Sequence, residues 1–213
     1  MSLRASSTSS RAVPDFHVHG VGPLGELDAD PACGTLMGNR GRLTNANGDF
    51  VRDWKHEGWI TCNPFGPPAP GDIGPPRMYT RLAFLDEATA CAAGHRPCGK
   101  CRHAEMKAFH EHWLKLHPHD TTMPALDARL HDERTRPVKQ TAVCADLPRG
   151  AMVRLEGRSW LVVEDGLYAW NDDGYSDLRA CPPGPVDVLT PPSTVAAMLA
   201  GWKPTVHHSA GLG

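Results

Sequence analysis

The sequence predicts an α+β protein in which a small zinc-knuckle module with helices is followed by a small antiparallel β domain. Three observations lead to this fold class. The 213 residues include 21 glycines and 20 prolines, which indicates many turns and long connections rather than a helical bundle. Apolar residues spaced three and four apart mark helices in the middle of the chain. Short apolar and aromatic runs separated by Asp-Gly-type turns mark strands in the second half.

Two helices are predicted on either side of a pair of cysteines. Asp86 is a favourable N-cap for a short helix over 87–93, which Gly94 can end in a left-handed conformation. A longer helix over 103–117 is indicated by an apolar stripe, and Pro118 ends it. The stripe consists of Met106, Phe109, Trp113 and Leu116.

Two further helices are predicted from their capping residues. Thr122 precedes a helix over 124–134. Near the end of the chain, Ser193 is expected to cap a short helix that runs through Ala200 and stops at Gly201.

Short strands account for the remaining predicted elements, and turn residues separate those of the second half. Between the second and third strands, the proline-rich segment Asn63–Pro76 cannot form regular structure. The predicted strands are Phe50–Trp54, Trp59–Thr61, Met78–Phe84, Ala151–Leu155, Trp160–Glu164, Leu167–Trp170 and Val186–Leu189.

Composition divides the chain into four segments. Residues 1–13 are rich in Ser, Arg and Thr and are expected to form a disordered leader. A zinc-binding module is expected over 14–118 and a helical connector over 119–136. A small antiparallel β domain with a C-terminal helix is expected over 137–213.

Charge and hydropathy exclude several functional classes. The formal charge is −2, whereas a protein held to DNA mainly by phosphate neutralisation is usually basic. The start of the chain has no apolar run typical of a secretory signal, and no stretch is long enough to cross a bilayer. We therefore expect a cytoplasmic protein with no membrane partner, whose seven cysteines are mostly reduced.

The pair Cys98-Gly-Lys-Cys101 carries the clearest chemical signal. Two thiols at this spacing can bind one tetrahedral cation, and in a reducing compartment the pattern indicates a metal before a disulfide. We expect Cys62 to be the third ligand, because it ends the segment Trp59–Cys62 just before a proline turn. The expected cofactor is Zn²⁺.

A family resemblance covers residues 35–103. The run from Phe84 to Arg102, with its Ala-Gly-His-Arg-Pro-Cys-Gly-Lys-Cys core, resembles the end of the zinc-binding domain of the Ada-type DNA alkylation-repair proteins. The upstream segment Gly58–Cys62 is similar to the place where that family has its first zinc cysteine. The family's second cysteine position is Gly66 in this chain.

The resemblance implies a nucleic-acid-associated function with DNA or RNA as partner. In the family, the first zinc cysteine accepts a methyl group from a DNA phosphotriester, which would make Cys62 a zinc-activated nucleophile. Arg96, Lys100 and Arg102 would then contact phosphates.

The fourth metal ligand is left open by the sequence. It is either one of several nearby side chains or a water molecule, and water would make the metal a candidate catalyst. The candidate side chains are His56, His95, His103, Cys33 and Cys91.

Two alternative functions follow from the same residues. An open zinc site would suit an enzyme of hydrolase or lyase type acting on a small-molecule substrate, with His95, His103 or Glu105 as general acid or base. Alternatively, the zinc only folds the module, and the chain is an interaction protein.

Overall fold

The computed structural model describes residues 19–31, 34–64, 79–137 and 139–211 of the chain. The predicted leader over 1–13, Cys33 and most of the segment Asn63–Pro76 lie outside the described residues. The observed architecture combines helices with two sheets, so the predicted α+β class is confirmed.

The first sheet is built from short strands of the N-terminal half, in the order β2-β1-β5-β3-β4-β6. Two of its pairs, β1 with β5 and β4 with β6, are parallel, and the others are antiparallel. Its strands are β1 (His19–Val21), β2 (Leu27–Pro31), β3 (Leu36–Asn39), β4 (Ile60–Cys62), β5 (Leu82–Phe84) and β6 (Arg96–Pro97).

The second sheet is antiparallel throughout, in the order β11-β10-β9-β8-β12-β7. The predicted antiparallel C-terminal sheet is therefore confirmed. Its strands are β7 (Thr141–Val143), β8 (Met152–Leu155), β9 (Arg158–Val163), β10 (Gly166–Asn171), β11 (Gly174–Arg179) and β12 (Pro185–Val188).

Helices form close to where the capping residues predict them. The side chains of Asp86 and Thr122 accept hydrogen bonds from backbone N–H groups of the helices that they precede, as predicted. Gly94 has φ of 77°, so it ends the first helix in the predicted left-handed conformation. The helices are α1 (Glu87–Ala92), α2 (His103–Leu114), α3 (Met123–Thr135) and α4 (Pro192–Leu199).

Helix α1 lies between the two sheets, and all six of its residues are buried. Ala90 packs in one cluster with Leu82 and Phe84 of the first sheet. Ala88 and Ala92 pack in another cluster with residues of the second sheet. The small side chains of α1 let both sheets approach it closely.

Helix α2 packs against the second sheet and α4. Phe109 and Trp113 of α2 share a buried cluster with Trp160 of β9 and Leu126 of α3. The ring centroids of Phe109 and Trp202, which follows α4, lie 4.9 Å apart in an edge-to-face arrangement. The helix that follows the cysteine pair therefore shares one core with the C-terminal sheet.

Two local predictions are wrong. The strand Phe50–Trp54 is not formed: Phe50 makes an isolated bridge to Thr44, and the next residues are exposed and irregular. The last helix begins at Pro192 with Pro191 as its N-cap. Ser193 lies inside the first turn, where its hydroxyl donates to Glu133 on α3 instead of capping.

The expectation that the cysteines are mostly reduced holds among the described residues for Cys62, Cys91, Cys98 and Cys101, which are free, but one pair is bonded. Cys144 and Cys181 form a disulfide with a Cα–Cα distance of 5.7 Å. It links the 3₁₀ turn after β7 to the connection that follows β11. Such bonds are rare in reducing compartments, so the cytoplasmic location stays a prediction. Among the described helices, none is both long enough and apolar enough to span a bilayer.

Candidate metal centre

The three cysteines singled out from the sequence come together in the structure. The sulfur atoms of Cys62, Cys98 and Cys101 all lie within 4.8 Å of one another. Thiolates bound to one tetrahedral zinc ion at about 2.3 Å lie roughly 3.8 Å apart, so this spacing is close to that of a metal centre. The three residues form a cluster that can hold a metal ion.

Strand pairing brings these residues together across the gap in the sequence. β4 and β6 run parallel, with Ile60 opposite Arg96 and Thr61 opposite Pro97. The N–H group of Cys98 donates to the carbonyl of Thr61 over 2.9 Å, which continues the ladder by one residue. Cys62 and Cys98 therefore lie side by side at the ends of adjacent strands.

The Cys98–Cys101 segment folds as a tight knuckle. The N–H group of Arg102 donates to the Cys98 carbonyl over 3.0 Å, which closes the turn ahead of α2. The N–H group of Lys100 donates to the Cys98 sulfur over 3.4 Å. Backbone N–H groups that face a sulfur stabilise the thiolate form that a metal requires.

Hydrogen bonding and burial give the three cysteine thiols of the cluster different pKa values. The pKa of Cys98 is lowered to about 4, first because the Cys62 thiol donates to it and then because backbone N–H groups of Cys101 and Lys100 face it. The same bond raises the pKa of Cys62. Burial raises the pKa of Cys101. The cluster thus stabilises one thiolate, and further proton loss requires a cation.

The cluster lies at the edge of the buried core. Cys62 and Cys98 are 4% and 8% exposed, whereas Cys101 is half-buried. Met37 of β3 lies opposite Cys62 of β4 and belongs to the same buried cluster as Cys62 and Cys98. The side of the cluster that solvent can reach is therefore the side of Cys101.

Tyr79 and Arg81 are neighbours of the cluster that the sequence analysis missed. Both are buried. The pKa of Tyr79 is raised, mainly by burial and also by the charges of Cys62 and Cys101, while the Arg81 guanidinium beside it acts in the opposite direction. A phenol and a guanidinium thus lie within electrostatic reach of the thiolates. No local motif surrounds either residue that could have revealed this role.

Within the described part of the chain, no fourth His, Cys, Asp or Glu joins the three cysteines. Cys91 is buried in the core, and His95 bonds to Arg40 and to the Ala93 carbonyl, so neither of these expected ligands reaches the sulfurs. His56 and His103 are exposed and also remain outside the cluster.

The expected acid and base lie on the first turn of α2. The Nδ1 atom of His103 is 3.2 Å from the Gly99 carbonyl oxygen. Glu105 is half-exposed and its carboxylate lies 3.7 Å from the Arg102 guanidinium. Both side chains border the knuckle, but neither shares the sulfur cluster with Cys62.

The basic residues expected to contact phosphates are placed differently from one another. Arg96 is buried and forms a two-pronged ion pair with Asp127, with distances of 2.6 and 2.7 Å. Arg102 is buried and donates to Glu87 and Thr61. Of the three residues, only Lys100 is exposed. The guanidiniums of Arg96 and Arg102 therefore hold the knuckle in place instead of facing solvent.

Comparison with known proteins gives no relative from which a role can be transferred: no family model, curated protein or solved structure matches this chain.

Proposed function

We propose that this chain is a zinc protein in which Cys62, Cys98 and Cys101 bind Zn²⁺ as thiolates. The observation that supports the proposal is the convergence of the three sulfurs within 4.8 Å, one from the end of β4 and two from the knuckle that follows β6. Thiolates are ligands that zinc prefers, and carboxylates, which hard cations need, do not join the described cluster. The bound ion would tie β4 to the knuckle and so complete the first sheet.

Metal analysis tests this proposal. We expect the purified chain to carry one zinc ion, and Cys98→Ser to lose it. Cys91→Ala is the matched control, because Cys91 is a free cysteine outside the cluster and should keep the metal. A protein that takes up neither Zn²⁺ nor Co²⁺, or that loses metal equally in both variants, would overturn the assignment.

A second, finer proposal is that the Cys62 sulfur reacts as an alkyl acceptor. Backbone N–H groups face the other two sulfurs, at Cys98 and at Cys101, whereas none of the described backbone donors faces Cys62. A hydrogen bond withdraws electron density from a thiolate, so Cys62 is left as the most nucleophilic sulfur of the three. Because Cys62 is 4% exposed, the alkyl group would have to reach it from the side of Cys101, where solvent reaches the cluster. The resemblance to the Ada-type domains also implies Cys62 as the cysteine that accepts the alkyl group.

The reaction would be a direct displacement. The Cys62 thiolate attacks the methyl carbon of a phosphotriester, the S–C bond forms, and the C–O bond breaks. The phosphodiester leaves with the electron pair, and no proton transfer is needed. Bound zinc keeps the sulfur ionised at neutral pH.

A nucleic-acid substrate would be contacted differently from the expectation based on the sequence. The buried ion pairs of Arg96 and Arg102 leave Lys100 as the exposed cation of the knuckle. We therefore expect weak, salt-dependent binding in which Lys100→Gln lowers affinity. Arg96 and Arg102 would stabilise the fold around the knuckle and would not bind phosphates.

Mass spectrometry distinguishes this finer proposal from a purely structural zinc site. The zinc-loaded chain is incubated with an oligonucleotide that carries one methyl phosphotriester, and modified cysteines are mapped. We expect one methyl group on Cys62 and none on Cys98. If no cysteine is modified while the zinc stays bound, the site is structural and the alkyl-acceptor proposal fails.

A further inference from the structure

A separate feature of the fold is the indole ring of Trp59, which two guanidinium groups contact. The guanidinium carbon of Arg40 is 4.2 Å from the ring centroid, and that of Arg134 is 3.8 Å away. Both distances are typical of cation–π contacts. Two positive charges are thus held close together on one aromatic side chain.

Both arginines are buried, and neither forms an ion pair with a carboxylate in the part of the chain that the structure describes. Arg40 is 1% exposed and Arg134 is 9% exposed. Among the ion pairs of the described residues, neither guanidinium takes part. This differs from Arg96 and Arg102, which each bond to a buried or nearly buried carboxylate.

Neutral acceptors fix both guanidiniums in place. Arg40 donates to the His95 ring over 3.2 Å and to the Gly25 carbonyl over 3.0 Å. Arg134 donates to the carbonyls of Gly94 and Glu57. These contacts orient the two groups, while the nearest carboxylates of the described residues act on them from a distance and form no ion pair with either.

Each guanidinium keeps a buried N–H donor that has no hydrogen-bond acceptor among residues 19–31, 34–64, 79–137 and 139–211. These donors are Nη2 of Arg40 and Nε of Arg134, and the structure gives neither of them an acceptor. An unmade hydrogen bond at a buried charged group is costly, so such groups are rare without a ligand or an ordered water.

Burial of the two guanidinium groups lowers the pKa of both. Burial lowers the pKa of Arg40 to about 10, although Asp53 and Glu26 act in the opposite direction. Burial lowers the pKa of Arg134 to about 9. The two side chains remain charged at neutral pH, in surroundings that would be stabilised by an anion.

A cavity of about 210 Å³ opens onto this pair of charges. Trp54, Trp59 and the half-buried Lys139 line it together with both arginines. Its apolar wall is formed by Leu24, Ala92, Ala93 and Leu189. One carboxylate, that of the exposed Asp53, lies at the rim, so three cations outnumber it.

We propose that this cavity binds a small organic anion, with a carboxylate or phosphate group between Arg40, Arg134 and Lys139. Guanidinium groups suit both oxyanions, since their planar donors match the oxygen spacing. The apolar wall would accept a short hydrocarbon portion of the same molecule. The volume is below that of sites for drug-sized ligands, which indicates a ligand smaller than a nucleotide.

The cavity is distinct from the sulfur cluster, because none of its lining residues is a cysteine. It joins distant parts of the chain, since Arg40 follows β3, Arg134 lies on α3 and Leu189 follows β12. A bound anion would therefore connect the first sheet to the C-terminal half.

Isothermal titration calorimetry with inorganic phosphate and with butyrate, each at constant ionic strength set by chloride, tests the proposal on the full zinc-loaded chain. If only inorganic phosphate binds, the natural ligand carries a phosphate group. If only butyrate binds, it carries a carboxylate. We expect Lys139→Gln to bind about tenfold more weakly, because one charge-assisted contact is lost. Lys107→Gln is the control, since Lys107 lies exposed on α2 away from the cavity.

A second variant leaves the buried arginines untouched. Thr135 is an exposed residue at the end of α3 that lines the cavity, so Thr135→Glu places a carboxylate at the site. We expect it to abolish binding, whereas Thr141→Glu, at an exposed position on β7, should have no effect. No measurable binding of either probe to the unmodified chain, or equal binding to the two Glu variants, would overturn the proposal.

Discussion

Arg102 and Glu87 form a buried ion pair, with Nη2 of the guanidinium 2.7 Å from Oε1 of the carboxylate. Both side chains are 5% exposed or less. The second carboxylate oxygen accepts the N–H group of Thr205 over 2.9 Å. One carboxylate therefore joins the knuckle, α1 and the C-terminal segment of the chain.

Replacing Glu87 tests the strength of this connection. Glu87→Gln should lower the free energy of unfolding by about 3 kcal/mol, because it leaves the Arg102 charge buried without its main partner. Urea denaturation measures the change. Glu111→Gln is the matched control on an exposed pair with Lys107, where we expect a change of about 0.5 kcal/mol or less. Similar losses in the two variants would contradict this account of Glu87.

His95 predicts a dependence of stability on pH. Burial lowers its pKa well below the ordinary value, and the charges of Arg40 and Arg134 add to this. In the unfolded chain the pKa of His95 is about 6.5, so just below that pH the unfolded chain binds more protons than the folded chain. The contribution of His95 to the free energy of unfolding should be fully present above about pH 7 and should be lost as the pH drops below about 6.5.

Urea denaturation between pH 5 and pH 8 checks this prediction. His95→Gln should flatten the curve, although a smaller slope should remain because burial also lowers the pKa of His131. A wild-type stability that stays constant from pH 7 to pH 5 would show that His95 is not held neutral by the fold.

The disulfide should contribute measurably to stability. Cys144 and Cys181 are separated by 37 residues. In the chain-entropy model, closing a loop of that length lowers the entropy of the unfolded chain and so stabilises the folded state by about 4 kcal/mol. Phosphine reduction should therefore lower the melting temperature of the wild type but not that of the double variant Cys144→Ala/Cys181→Ala. An equal effect on both proteins would mean that the reductant acts elsewhere.

Gly94 is a position where an added methyl group should be harmful. Its φ is 77°, and a Cβ atom there would lie 2.4 Å from Cδ of Arg134. Gly94→Ala should cost about 2 kcal/mol or more, from the left-handed backbone and from displacement of Arg134. Thermal unfolding measures the loss. Gly99→Ala is the control, since no atom of the described residues lies within 4 Å of a Cβ atom there, and it should be nearly neutral.

The helices and four of the six strands of the C-terminal sheet could be predicted because their signals are local, whereas β7 and β11 were missed. Asp86 and Thr122 cap the helices that they precede, and Phe109 and Trp113 face the core as their spacing indicates. The strands of the first sheet were harder to predict. β1, β2 and β3 contain only three to five residues, include Gly or Asp, and show no clear alternation, so long-range pairing decides their structure.

The metal centre could be predicted in part, and the anion cavity could not. Cys98 and Cys101 share a recognisable spacing, and Cys62 stands at a strand end. The partners of Arg96 and Arg102 lie 31 and 15 residues away, so the sequence does not reveal that these charges are buried. Arg40, Trp59 and Arg134 come from three distant segments, and no local pattern relates them.

The carboxylate of Asp86 has a consequence for the cooperativity of folding. Besides capping α1, it accepts hydrogen bonds from the Tyr175 hydroxyl and from the N–H group of His207, both over 2.9 Å. These donors lie 89 and 121 residues further along the chain. All of these hydrogen bonds to Asp86 are therefore made only when β11 and the segment around His207 are folded against α1, so local unfolding of either region exposes a buried charge at the start of the helix.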